Sequence, residues 1–439
     1  MKVMKFGGTS VGSPERMREI KKLITNDSER KIVVLSALGG TTNSLAEISK
    51  LLAKGNRIAA KNTIDELEQR YQNFILELLT KKETFEMGKA ILIEHFEFLN
   101  IILKISYSEA LNKDILAQGE LLSTKLFSTF LSENTIPHVW LSALDFMTID
   151  SKDEPQIGSI KVKLSQILKN YSTVPLFITQ GFICRNSKGE VDNLKRGGSD
   201  YSASLIAAAI QASVCEIWTD IDGMHNNDPR FVNNTQPIPH LSFSEAAELA
   251  YFGAKILHPA SIWPAQYFNF PVRLRNTMDP ESEGTLIESE AEGEGVKAIA
   301  AKDFITAIKI KSTRMLLAYG FLRKVFEVFE KYQTSIDMVT TSEVAVSLTI
   351  DNDAYLSEIV KELEVFGTIS VDPEQTIVTL VGNKISNTEH VMAKIFTSLG
   401  DTPVRMVSFG GSQHNISILV PHDHKEKALQ LLHSGLFAE

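Results

Sequence analysis

At 439 residues the chain exceeds a single typical core, so two or three domains are expected. Its 43% apolar content excludes collagen-like and disordered classes, and no apolar run approaches the ~18–20 residues of a spanning helix. A net charge of −9 without a long basic block argues against general nucleic-acid binding, although a local field can still favour a phosphate. Cys184 and Cys215 are the only cysteines. A disulfide framework and a four-thiolate zinc site are thereby excluded, and a reducing compartment fits. The opening residues are strand-like and carry no signal-peptide core, which predicts a cytoplasmic chain without a membrane anchor.

Residues 1–6 read as a strand, followed at once by Gly7-Gly8-Thr9-Ser10-Val11-Gly12. Ser13-Pro14-Glu15 then supplies a cap, an N1 proline and a first-turn acid, so a helix is expected from Pro14. The first turn is neither a Walker A loop nor a dinucleotide fingerprint. Its glycines can still admit a phosphate closely, with Lys5 as a point charge. A solvated lysine beside a tight turn is the other reading.

Lys31–Ser36 reads as a buried strand, leading into Ala37-Leu38-Gly39-Gly40-Thr41-Thr42-Asn43. Residues 44–110 have helical spacing and predict a helical cover, and Gln118-Gly119-Glu120 is read as interrupting the next helix. His138–Leu141, Val174–Phe182, Val214–Thr219 and Val272–Asn276 read as strands. Alternation of strands and helices predicts an α/β fold with a mainly parallel sheet covered on both faces. Ligands then bind beyond the carboxyl ends of the strands.

Lys195-Arg196-Gly197-Gly198-Ser199-Asp200 opens the apolar stretch Tyr201–Ala212. Backbone N–H groups, a helix start and the Arg196 fork make an anion cradle. Asp200 suits such a cradle if it orients a lysine or handles a cation. An ordinary helix N-cap at Ser199 is the alternative. Further on, Trp218–Gly223 and Asn227–Arg230 fail the calcium-loop spacing. They read either as a nucleotide edge with Arg230 or as a capped turn. Lys255 and His258 precede Pro259, where the histidine reads as structural. No nucleophilic triad is evident. Lysines, one arginine, acids and hydroxyls on glycine turns are the equipment of phosphoryl transfer.

Asp279–Gly295 carries Pro280, Gly284 and Gly293 among many acids and reads as a linker. After it, Ile305–Lys311, Phe321–Tyr332, Ser335–Thr340, Val344–Ile350, Ala354–Phe366 and Thr368–Val371 alternate as βαββαβ, a ferredoxin-like unit. A second pass runs from Thr376–Val381 to the helix Lys425–Ser434 and ends one strand short. Val296–Lys302 is expected to supply that strand, so that the two modules interlock.

Together these segments resemble the aspartate kinases of the amino acid kinase family. The blocks are Lys5–Ser10, Ser36-Ala37 with Thr42-Asn43, Gly119-Glu120, Arg196–Asp200, and Phe252–Lys255 with His258-Pro259, in the family's order. The resemblance implies a three-layer α/β/α sandwich over 1–290 and two ACT domains, one at 303–375 and one formed by 296–302 with 376–439. It also implies transfer of the ATP γ-phosphate, with Mg²⁺, to the side-chain carboxylate of L-aspartate. Lys5 and Asp200 would be catalytic. Ser36, Thr42, Glu120, Arg196, Gly197, Gly198 and Ser199 would hold the substrate. Gly7, Gly8, Thr219, Asp220, His225, Arg230 and Lys255 would hold ATP; a tyrosine is common in the family where His225 stands. No side chain stands out as a metal ligand.

Met315, Ala318, Gly320, Phe321, Leu322, Ile336, Asp337, Ser342 and Glu343 map onto the L-lysine pocket of the family's lysine-sensitive branch. Ala318 stands where a relative has serine. The chain resembles a monofunctional enzyme, expected to lack a homoserine dehydrogenase extension, and the ACT domains imply a homodimer. A glutamate-directed kinase and a non-catalytic amino acid sensor are the competing readings; the ACT-like tail with Glu120 opposes the first, and Lys5 with Asp200 opposes the second.

Overall fold

The computed structural model describes residues 1–195, 197–253, 257–291, 293–312 and 319–437. Arg196, Lys255, Met315 and Ala318 lie outside the described residues. The chain forms two compact units. One comprises Met1–Met224, Pro239–Phe243 and Leu257–Glu290; the other comprises His225–Ile238, Ser244–Ile256 and Ala291–Glu439.

The first unit is built on an eight-stranded sheet. Its order is Val139–Leu141, Leu176–Gln180, Lys31–Leu35, Lys2–Phe6, Cys215–Thr219, Val272–Asn276, Thr285–Glu288 and His240–Ser242. All neighbours run parallel except the pair Val272–Asn276 and Thr285–Glu288. The central strands are short, apolar and buried, as a sheet covered on both faces requires. Alternation assigns the faces. Met4, Phe6, Val33, Leu35 and Ile178 join the core formed with the helices between residues 14 and 133. Val3 and Lys5 therefore point to the other face, where the small residues of helix Gly198–Ile210 let it lie close to the strands.

Three sequence expectations are corrected here. Gln118-Gly119-Glu120 does not interrupt a helix but sits inside the continuous helix Glu109–Glu133. Gly119 is there for proximity: a Cβ on it would come within 2.8 Å of the Ala37 Cβ. The helical cost of a glycine, about 1 kcal/mol, is thus offset by close packing on the turn at Ala37. The expected linker Asp279–Gly295 contains the strand Thr285–Glu288, whose alternating burial pairs it with neighbours on both sides. Helix Ile157–Asn170 and the hairpin Ile183–Arg185/Val191–Asn193 were not singled out in the sequence.

The second unit is built on a six-stranded antiparallel sheet, in the order Val339–Thr341, Ala345–Ile350, Gly295–Lys311, Thr368–Asn383, Asn415–Pro421 and Met406–Ser408. The third correction concerns its long strands. Val296–Lys302 and Ile305–Lys311 are one strand, and Thr368–Val371 and Thr376–Val381 are another. Register shifts between Lys302 and Ile305, with Phe304 at φ 60° and Glu374 at φ 55°, kink these strands without ending them. Ala298–Lys302 pairs with Ile377–Val381, and Ile308–Lys311 pairs with Thr368–Val371. Helices Phe321–Lys331 and Leu356–Leu363 bury one apolar cluster, and Val391–Leu399 and Lys425–Phe437 another. Among the described residues, no helix is long and apolar enough to cross a membrane.

Candidate functional site

Parallel register brings the ends of four strands together. Phe6 lies opposite both Leu35 and Trp218, and Leu35 lies opposite Gln180. The next residues along each strand, Gly7, Ser36, Gly181 and Thr219, therefore share one edge. Backbone bonds tie it: Gly7 N donates to Trp218 O (3.4 Å), Ser36 N to Phe6 O (3.2 Å) and Gly181 N to Leu35 O (3.0 Å). Gly8 must be small, since a Cβ on it would sit 3.2 Å from Ala37 O.

Lys5 is buried at this edge, and its Nζ meets Asp200 Oδ1 at 2.5 Å. The pair follows from strand parity, because Lys5 and helix Gly198–Ile210 lie on the same face. A Cβ at Gly7 would come 3.4 Å from the Lys5 ammonium, so the glycine leaves space beside the charge.

Ser199 is not the helix N-cap. The helix begins at Gly198, with Gly197 as the cap, and both glycines have positive φ (65° and 50°). These left-handed residues carry the chain into the helix earlier than the cap reading allows. Ser199 is thereby free to accept a hydrogen bond from Ser36 Oγ at 2.9 Å. Two residues missed in the sequence support this contact. Ser123 Oγ donates to Ser36 O at 2.6 Å. Gly181 is approached so closely that a Cβ on it would lie 2.3 Å from the Ser199 Cβ. Its position directly after a buried strand, like that of Gly7, is the signal that could have found it. Gly181→Ala should displace Ser199 and lower Tm, which thermal unfolding checks.

Glu120 projects from helix Glu109–Glu133 into a buried setting, with Ala37 N donating to its Oε1 at 3.4 Å and, among the described residues, no partner on Oε2. Burial pushes its carboxyl up to about 8. An unsatisfied buried carboxylate oxygen is costly, which suits a site completed by a cation. Thr42 is exposed in the first turn of helix Thr41–Ala53. Its neighbour Thr41 is buried, hydrogen-bonded to Tyr71 OH (3.1 Å) and Arg70 Nη2 (2.5 Å).

Of the nucleotide candidates, Thr219 ends its strand and donates to Asp220 Oδ1 at 3.1 Å. His225 and Arg230 belong to the second unit. There His225 Nδ1 contacts Thr235 Oγ1 at 2.9 Å, and the exposed Arg230 pairs with Asp228 (Nη2–Oδ2 2.6 Å). His258 caps helix Pro259–Phe268, accepting from Ala260 N at 3.1 Å. Both thiols are buried and free; burial pushes Cys184 up to about 12 and Cys215 higher still, so neither is a nucleophile.

Of the effector candidates, Gly320 (φ 76°) caps helix Phe321–Lys331, Phe321 is in the apolar cluster, and Leu322 and Ile336 pack against it. The Asp337 side chain is buried: its Oδ1 accepts from Lys302 Nζ and Tyr251 OH, each at 2.8 Å, while Oδ2 has no partner among the described residues. Ser342 and Glu343 are exposed in the turn before Ala345–Ile350.

A lysine–aspartate pair among glycine turns at the carboxyl edge of a parallel sheet, with a separate double ferredoxin-like sheet, defines a phosphotransferase carrying a regulatory module. Residues 1–276 match the amino acid kinase family and 378–436 match an ACT domain. Lysine-sensitive aspartokinase 3 of Escherichia coli K12 is 35% identical over 99% of both chains. The crystal structure of E. coli aspartokinase III with aspartate and ADP (R-state) superposes at TM-score 0.85 with 34% identity, covering 100% of each chain. Its complex with lysine and aspartate (T-state) gives 0.81, covering 100% of this chain and 99% of the other. The chain belongs to the amino acid kinase family, among its aspartokinases.

Proposed function

We propose that this chain transfers the γ-phosphate of MgATP to the side-chain carboxylate of L-aspartate, giving 4-phospho-L-aspartate and ADP. This is the first step toward lysine, threonine and methionine. The observation that carries the reading is the Lys5–Asp200 pair at the glycine-lined strand edge.

The acceptor carboxylate is already ionised at neutral pH, so no strong base is required. A carboxylate oxygen forms a bond to the γ-phosphorus as the bond to the β-bridging oxygen breaks, and ADP leaves with that electron pair. The difficulty is bringing two anions together. Lys5 neutralises the transferring phosphoryl group, and Asp200 fixes the Lys5 ammonium. Glu120 takes the substrate ammonium, which supplies its missing cation. Arg196 takes the α-carboxylate through a fork of N–H donors. Ser36, Thr42, Gly197, Gly198 and Ser199 line the aspartate, and Gly7, Gly8, Thr219, Asp220, His225, Arg230 and Lys255 hold the nucleotide. Among the described residues, no group of three or more His, Cys, Asp or Glu could hold a metal ion. Magnesium would arrive on the nucleotide, keeping phosphate and water ligands.

L-Lysine is the effector, bound by Met315, Ala318, Gly320–Leu322, Ile336, Asp337, Ser342 and Glu343. The support is the lysine complex of the E. coli relative and the buried Asp337 carboxylate, one oxygen of which has no partner among the described residues. The ACT modules, 303–375 and 296–302 with 376–439, pair two copies into a homodimer. ADP release with L-aspartate and L-glutamate side by side tests the substrate: turnover with aspartate and not glutamate is expected. Equal rates, or preference for glutamate, would overturn the assignment.

A further inference from the structure

The glycine turn at residues 7–12 is tied to the sheet at both ends of its glycine pair. Before the pair is complete, Gly7 N donates to Trp218 O at 3.4 Å. Beyond it, Ser10 Oγ and Thr277 Oγ1 share a hydrogen bond of 2.9 Å. The two residues are 267 positions apart in the chain and only 1% and 3% exposed, so neither hydroxyl can turn to bulk water instead.

Thr277 is the first residue after strand Val272–Asn276, and its own N–H donates to Thr219 O at 2.8 Å. Two bonds, one between side chains and one between backbones, therefore join the turn to Thr219. Strand pairing does not supply this link. The ladder between Lys2–Phe6 and Cys215–Thr219 stops at Phe6 and Trp218, so Ser10 lies past its last pair. Inside the turn, Val11 N donates to Gly7 O at 3.1 Å and Gly12 N to Thr9 O at 3.3 Å. The turn is thus closed on itself, and fixing Ser10 fixes Gly7 and Gly8 with it.

We infer that Ser10 and Thr277 are positioning residues for the nucleotide, their bond setting the glycine turn against the edge at Thr219 and Asp220. The inference rests on the reading of Gly7, Gly8, Thr219 and Asp220 as nucleotide contacts. A glycine turn lets phosphate come close to backbone N–H groups, but its freedom must be lost when the ligand binds. A tie beyond the glycines removes part of that freedom beforehand, so binding loses less entropy. Aspartate depends on other elements, Glu120 on helix Glu109–Glu133 and the Ser36–Ser199 contact, which take no part in the tie.

The test uses the full-length enzyme with Ser10→Ala, Thr277→Val, Thr277→Ser and the double variant Ser10→Ala with Thr277→Val. Tm, the KM for each substrate and calorimetric binding of MgADP are measured. Each single deletion strands a hydroxyl in a dry setting and should lower Tm; the double variant strands none and should regain most of that loss. The KM for ATP is expected to rise about fivefold in each deletion, the effect of one hydrogen bond, and to stay there in the double variant. The KM for aspartate should not change, and Thr277→Ser, which keeps the hydroxyl, should match the wild type. The double variant carries the test if a single deletion does not fold. An unchanged KM for ATP, a KM for ATP that recovers together with Tm in the double variant, or equal rises for both substrates would reduce the bond to a structural one and overturn the inference, leaving the nucleotide reading intact. Wild-type protein that neither binds MgADP nor turns over MgATP would overturn the nucleotide reading, and the inference with it.

Discussion

Lys5→Met is expected to reduce kcat by about 10²–10³-fold or more, the range for removing one pre-placed charge from a developing phosphoryl anion. The substitution deletes the ammonium that sits 2.5 Å from Asp200 in a largely dry setting. It also leaves the Asp200 carboxylate without its partner, so some stability is lost. The two effects separate cleanly. Asp200→Asn keeps the ammonium but frees it to wander, so it should lower kcat less than Lys5→Met does, with aspartate binding preserved. Circular dichroism checks the fold, and single-turnover ADP formation checks the chemistry. A folded Lys5→Met protein with near-normal kcat would remove Lys5 from the mechanism.

Glu120→Gln is expected to raise the KM for aspartate by about 100-fold, because it removes the buried charge that would meet the substrate ammonium. Burial raises the Glu120 carboxyl from 4.5 to about 8. In the free enzyme near pH 7 the group is then mostly protonated, and an arriving ammonium lowers its pKa again. Aspartate binding should therefore release up to one proton between about pH 6 and 8, and affinity should rise with pH until Glu120 is ionised. Calorimetry in buffers of different ionisation enthalpy counts that proton. The stability effect has the opposite sense. Between pH 4.5 and about 8 the folded state holds a proton that the unfolded state has lost, so stability falls as pH rises through this window. Glu120→Gln should abolish that slope and be the more stable protein at pH 8. Absence of proton release in the wild type, or an unchanged slope in the variant, would count against the role of Glu120.

Much of this site was legible as chemistry before it was legible as geometry. A lysine closing an apolar strand before two glycines is visible in the sequence. Asp200 read as an acid that orients a lysine; its direct contact with Lys5 follows from strand parity and from which face carries helix Gly198–Ile210. Glu120 was legible as an acid in a motif, but its burial was hidden because Gly119 looked like a break. The helix runs through it since a neighbouring turn leaves no room for a Cβ. Gly181 was overlooked because its need is set by Ser199, a residue on the following helix. In the regulatory unit the alternating apolar pattern located the strands. It did not reveal that bulges at Phe304 and Glu374 join them into two long ones, since a bulge costs a single residue of periodicity.

The most direct test of the account is ATP-dependent formation of a hydroxamate from L-aspartate and hydroxylamine, measured with and without L-lysine. The account predicts product that requires aspartate and falls when lysine is added. Folded protein that forms no product with MgATP and aspartate would contradict the kinase assignment, and product insensitive to lysine would contradict the effector pocket at Asp337.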